Sequence, residues 1–292
     1  MSLAHLRPRT AGEILDGAFV LYRTHFALLV LTGLALYAPV QVLIGISMGL
    51  VPRLGAGLPG TVVFTMLLSL AGSAAGLVAW AALTRVASDA VLGRAPTFED
   101  ASASGFRAFL PLLGAAALVT IAGMVLTAGL AFVSLLADDV AAAAGRVAVM
   151  MASALFFAAA VTLGAAAGAM CFAVLPAVVV ERKGPVAALK RSRELAAGAW
   201  PQILGVSVVS TLIVVLPSVA AMAAFGTLPG GRAAPGGLPL WRIVLQQAGG
   251  ALVGCLTIPF LAASLTLLYY DRRVRTEALD LEVAADALAV PT

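Results

Sequence analysis

The sequence predicts an all-α polytopic membrane protein: six transmembrane helices in one domain spanning 1–292, set out as three parallel two-span repeats, each preceded by a cytoplasmic, interfacial amphipathic helix. Three observations predict it. Hydrophobic residues make up 62% of the 292 residues and charged ones 11%, with a mean hydropathy of +1.05, far from the roughly half-apolar, quarter-charged average of soluble domains. Six stretches reach the ~20 apolar residues that a helix needs to cross the hydrocarbon core. Charged, helix-like segments opening at Pro8, Pro96 and Pro185, 88 and 89 residues apart, each lead into two of these stretches.

The expected spans run from Phe26 to Leu50, Thr61 to Leu83, Phe109 to Ala137, Val147 to Val180, Gln202 to Gly226 and Ile243 to Tyr270. The fourth, at 34 residues, reads either as one helix projecting into water or as a span followed by an interfacial turn at Pro176; two short crossings would reverse everything downstream. The repeats would occupy 8–95, 96–184 and 185–271, followed by a short cytoplasmic tail, 272–292. Identity between the copies is low, the best echo being Phe109-Leu-Pro-Leu-Leu-Gly beside Trp200-Pro-Gln-Ile-Leu-Gly. Chance spacing of evenly long hairpins is therefore the competing explanation. If the units are real, each holds two crossings, so they are parallel rather than inverted repeats.

Each repeat opens on a helix-start signal. Thr10 with Glu13 fits a capping box, Thr97 with Asp100 resembles one, and Pro185 stands where a first helical residue belongs. In the first copy Ile14, Leu15, Ala18, Phe19, Tyr22 and Phe26 share one helical face and Glu13, Asp16, Gly17 and Thr24 another. This is the pattern of a helix lying in the headgroup plane; a solvated extension of the next span is the alternative. No short apolar leader with a cleavage site precedes the first span, so that span is expected to remain.

Basic residues sort once the spans are drawn. Fourteen of the eighteen lie at the ends shared with both termini, against Arg53, Arg146, Arg232 and Arg242 at the other. The bias places both termini in the cytoplasm of a bacterial inner membrane. The net charge of +4 is not a nucleic-acid footprint, because the cations are dispersed and mixed with twelve acidic residues on the same side. The densest cluster, Lys183, Lys190, Arg191 and Arg193, is the candidate contact for lipid headgroups or a protein partner, each cation near an anionic leaflet contributing about 1 kcal/mol.

No catalytic constellation is legible. There is no P-loop, no dinucleotide-binding glycine motif and no metal-ligand spacing, so neither metal nor cofactor is expected. His5 and His25 are the two histidines, and His25 reads as an interface anchor. Cys171 and Cys255 fall inside spans and read as small packing residues. No span has a central ionisable residue, which argues against a pump built on buried carboxylates. Asp138 and Asp139 are expected in the short outer loop between the third and fourth spans, as a solvated turn or a helix cap. Gln41, just after Pro39, is the most polar mid-span group, suited to an interhelical hydrogen bond of around 1 kcal/mol. Glycine pairs four apart, such as Gly45 with Gly49 and Gly250 with Gly254, fit close helix approach.

The opening LRPRTAGEILDGAFVLYRTHF, the internal ERKGPVAALKRSRELAAGAWPQILG and the closing LYYDRRVRTEALDLE together resemble bacterial membrane proteins related to the membrane domain of glycerophosphoryl diester phosphodiesterase. The resemblance covers nearly the whole chain and rests on juxtamembrane patterns. It implies a fold rather than an activity, because the hydrolase fused to such domains in some relatives is a soluble barrel of about 250 residues for which this chain has no segment. A non-enzymatic membrane module contacting lipids or a protein partner is the function these features predict; a transporter or channel for a small or amphiphilic solute is the alternative.

Overall fold

The computed structural model describes residues 7–50, 58–144, 151, 168, 170–224 and 240–278. Every regular element among the described residues is helical: α1 (Ala11–Thr24), α2 (Phe26–Leu36), α3 (Ala38–Leu50), α4 (Leu58–Val91), α5 (Phe98–Ala144), α6 (Val174–Val179), α7 (Pro185–Ala196), α8 (Trp200–Ala224) and α9 (Leu240–Glu277). Among the described residues, five stretches are long and apolar enough to cross a membrane: Phe26–Ser47, Gly60–Val91, Phe98–Met124, Trp200–Ala221 and Trp241–Glu277. The fourth expected span, 147–180, lies mostly outside the described residues; its end is α6, with Pro176 in the first turn.

Local chemistry sets the helix boundaries. The Thr10 side chain accepts from the Glu13 backbone N–H and the Glu13 carboxylate accepts from Thr10 N at 2.8 Å, a complete capping box. Thr97 Oγ1 accepts from Asp100 N at 3.2 Å at the start of α5, and Gly184 caps α7 with Pro185 in its first turn. Helices α4 and α7 stop at glycines with positive φ, Gly93 at 68° and Gly198 at 73°, a backbone region that side-chain-bearing residues enter at a cost. The first apolar run is two helices rather than one. Pro39 has no N–H to donate back, and the ladder breaks at Tyr37.

The three repeat openings become the starts of α1, α5 and α7, at equal spacing, but each joins its span differently. His25 separates α1 from α2, α5 runs unbroken for 47 residues through Pro111, and a turn at Ala197 and Gly198 separates α7 from α8. Asp138 and Asp139, expected in an outer loop, lie within α5. The alanines around the two acids favour continuation of the helix.

Helix α9 is the centre. Of its most apolar window 61% is buried, against 17–22% in the other four spans, and it packs on α8, α3, α4, α1 and α2. The main core joins Ile14 and Ala18 of α1, Leu83 and Val86 of α4, Ile203 of α8, and Leu268 and Tyr269 of α9. Large apolar side chains such as Leu31, Met66, Leu110 and Leu216 face outward. An apolar exterior of this extent suits lipid rather than water. Helix α1, expected across the headgroup plane, packs along the flank of α9: Arg9 meets Asp271, the Phe19 ring lies 4.5 Å from that of Phe260, and the Tyr22 hydroxyl donates to Leu256 O at 2.8 Å. Ile14, Ala18 and Leu21 are buried there.

Candidate functional site at the basic end of the bundle

The last turns of α9 carry polar residues on two stripes, and helical spacing decides what each reaches. Tyr269, Arg273 and Glu277, four apart, face the link between α6 and α7. There Glu181 is the hub: its carboxylate accepts from the Tyr269 hydroxyl, from Arg191 Nε at 3.0 Å and from Lys183 Nζ at 2.8 Å. Arg191 also pairs with Glu277, and Arg273 Nε donates to Glu277 at 2.9 Å while its guanidinium lies 5.8 Å from the Tyr269 ring centre. Arg191 and Glu181 side chains are each 13% exposed, so these are desolvated charges that need one another.

The second stripe, Asp271 and Arg275, clasps the N-terminal segment. Asp271 accepts from Arg9 N at 2.6 Å, Gln202 Nε2 at 3.0 Å and Arg275 Nε at 3.0 Å, and Arg9 O accepts from Gln202 Nε2 at 3.1 Å and Arg275 Nη2 at 2.7 Å. Between the stripes, Arg272 donates to Leu195 O at 2.9 Å and Ala197 O at 3.2 Å. A cation on the last carbonyls of α7 satisfies acceptors the helix cannot and complements its dipole.

Burial works to raise the Glu181 carboxyl, but hydrogen bonds from Lys183, Tyr269 and Arg191 outweigh it and hold the group below the usual carboxylate range. The Arg191 guanidinium is pushed up by its hydrogen bond with Glu277 and, against burial, by that with Glu181. Both groups are therefore charged at neutral pH.

The candidate cations divide. Lys183 and Arg191 are committed to Glu181, and Arg191 to Glu277 as well. Lys190 and Arg193, one turn apart on α7, are exposed and have no ion-pair partner among the described residues. The bonds through Glu181, Asp271 and Gln202 went unread in the sequence. Their one signal was the four-residue periodicity in LYYDRRVRTE, which gives the stripes but not what they touch.

Gln41 lies elsewhere, toward the other end of the bundle. It lines a cleft of about 570 Å³ with Tyr37, Ser69, Ser73, Trp80 and Gln247. A Cβ on Gly45 would fall 2.2 Å from Gln247 Cγ, so the absence of a side chain at Gly45 is what lets α9 seat Gln247 here. A Cβ on Gly250 would touch nothing; that glycine serves no close approach. The amides of Gln41 and Gln247 have no hydrogen-bond partner among the described residues, and the interhelical bond expected of Gln41 is not found among them.

The chain matches the family described as Domain of unknown function (DUF7847) over residues 12–272. It belongs to that family. The match runs from α1 to the Asp271–Arg272 pair, so it takes in nearly the whole bundle, including Asp271 and Gln202 of the clasp but not Arg9 or Arg275. No curated protein and no solved structure matches the chain.

Proposed function

We propose that the chain is a non-enzymatic module of the bacterial cytoplasmic membrane, with its basic end and both termini in the cytoplasm, and that this end binds anionic lipid headgroups. The observation that carries the reading is the division of the α7 cations. Arg191 faces inward into ion pairs, whereas Lys190 and Arg193 are exposed and form no ion pair among the described residues, so their charge is available to a ligand. Two such cations near an anionic leaflet contribute about 1 kcal/mol each. The juxtamembrane resemblance to the membrane domain of glycerophosphoryl diester phosphodiesterase supports a module of this kind without an activity.

The test is lipid retention by the full chain, purified into neutral detergent from mixed phosphatidylglycerol and phosphatidylcholine and weighed by native mass spectrometry. Wild type should retain phosphatidylglycerol preferentially, and the double variant Lys190→Glu/Arg193→Glu should lose that preference. Equal retention by both proteins would remove the lipid version of the reading and leave a protein partner for the same face.

The cleft around Gln41 favours a second reading, a path or binding site for a small polar or amphiphilic solute. Its volume falls within the roughly 300–1,000 Å³ of small-molecule sites, and two unpartnered amides are costly at membrane depth unless a ligand or water meets them. Solute flux in proteoliposomes that Gln41→Leu abolishes would support this; flux equal to empty vesicles across a broad solute panel would end it.

A further inference from the structure

On the flank of the basic end, between α4, α5 and the link into α7, lies a cavity of about 230 Å³. Its lining includes three arginines, Arg85 of α4, Arg107 of α5 and Arg182 of the link, together with Asp100 and Ser104 of α5. They converge because the helices are locked at short range. A Cβ on Gly105 would lie 2.6 Å from Val78 O of α4, and one on Gly114 would lie 2.7 Å from Pro185 Cγ of α7. Arg182 itself has φ +54°, a conformation that persists in a side-chain-bearing residue where the surroundings impose it.

The charges around this cavity do not cancel internally. Arg85 Nε is 2.9 Å from Asp89 Oδ2, yet it is buried and not aligned to donate to any acceptor. Arg107 spends its Nε–H on Ala103 O at 3.1 Å, and neither it nor Arg182 has a carboxylate partner among the described residues. Asp100 points its carboxylate at the Thr97 hydroxyl, 2.8 Å away. With Asp89 and Asp100 both counted, the cations still exceed the acids. Planar guanidinium forks match the oxygens of a phosphate group better than other cations do. The volume is several times the ~30 Å³ share of one water but below that of drug-sized ligands, so a headgroup fits and acyl chains stay outside.

The geometry points to a phosphate site in which Arg85, Arg107 and Arg182 hold one phosphate monoester or diester group. The site rests on the headgroup reading above in placing the ligand at the basic end, but it uses different residues from Lys190 and Arg193. The phosphate comes either from a membrane lipid or from a small soluble ester.

The test is titration of the full chain in neutral, phosphate-free detergent with dioctanoyl phosphatidic acid, dioctanoyl phosphatidylglycerol and glycerol 3-phosphate, read by native mass spectrometry and calorimetry. One ligand per chain is expected, with binding weakened by about tenfold or more in Arg107→Gln/Arg182→Gln. Ser104→Leu, which fills the cavity and leaves every cation in place, should weaken it likewise. Glycerol 3-phosphate binding as tightly as the lipids identifies a soluble ester as the source; lipid binding without it identifies the membrane. Wild-type affinity in both variants overturns the site, as does failure of all three probes to bind. Loss of binding in Lys190→Glu/Arg193→Glu with full binding in Arg107→Gln/Arg182→Gln would refute the cavity and keep the broader reading. Arg107 and Arg182 are exposed, so their removal should leave the melting temperature unchanged and a loss of binding is not a loss of fold.

Discussion

Glu181 gathers three donors within one small volume, and its removal isolates cations rather than merely deleting a contact. In Glu181→Gln the Tyr269 hydroxyl and one arginine can still bond the amide oxygen, but Arg191 and Lys183 lose their nearest counter-charge. Stability should fall by about 2 kcal/mol, read as a lower melting temperature with a thiol-reactive dye that reports exposure of buried Cys255. The sign of the pH dependence follows from the lowered carboxyl. Its stabilisation is complete above the ordinary glutamate value of about 4.3 and is lost as pH falls through the lower folded value. The gap between wild type and variant should therefore be full at neutral pH and close on acidification; a gap that widens in acid would show that Glu181 is not the charged hub. None of this was legible in the sequence. Glu181 and Tyr269 are 88 residues apart, and pairing across that distance is decided by how α7 and α9 pack, not by any local pattern.

At the scale of helices the local signals were legible and the long-range ones were not. The caps at Thr10, Thr97 and Pro185 are written in adjacent residues, and each starts a helix where its side-chain chemistry says it should. The break at Tyr37 needed only Pro39. The packing of α1 along α9 needed its partner, because an amphipathic pattern gives an apolar face without saying whether lipid or protein covers it. Glycine spacing misled in the same way: Gly250 falls in a pair but approaches nothing, whereas Gly105, outside every pair noted, sits against the α4 backbone. Gly105→Ala should cost about 1–3 kcal/mol, since the obstacle is a carbonyl oxygen and α5 as a whole must shift. Gly123→Ala on the same helix meets nothing within 4 Å and should be neutral or stabilise by up to about 1 kcal/mol. Melting both variants in one detergent checks the contrast; equal effects would mean that α4 and α5 are not held at this distance.

Across the whole molecule, the ends that meet determine the topology. The start of α1, the end of α4, the link between α6 and α7 and the end of α9 are joined to one another through Ser88 with Tyr270, Glu181 with Tyr269 and Arg9 with Asp271, and the start of α5 meets the end of α4 and that link around one cavity. The chain leaves the basic end in α5 and is back at it in α6, so an even number of crossings between the two is the expectation. With α5 counted as one crossing, six in all is the expectation, and the excess of cations makes the cytoplasm the expected side of the shared end. Single cysteines introduced at Ala95, Gly184 and Ala278, in a background with Cys171 and Cys255 replaced by alanine, should resist an impermeant thiol reagent on intact cells and react once the membrane is opened. Cysteines at Gly145 and Gly230 should react from outside without opening. Labelling of Gly184→Cys from outside while Ala95→Cys stays protected would mean that the two ends do not share a side. That result would separate Glu181 from Tyr269 by the thickness of the bilayer and remove the basic end as a single surface, taking the headgroup reading with it.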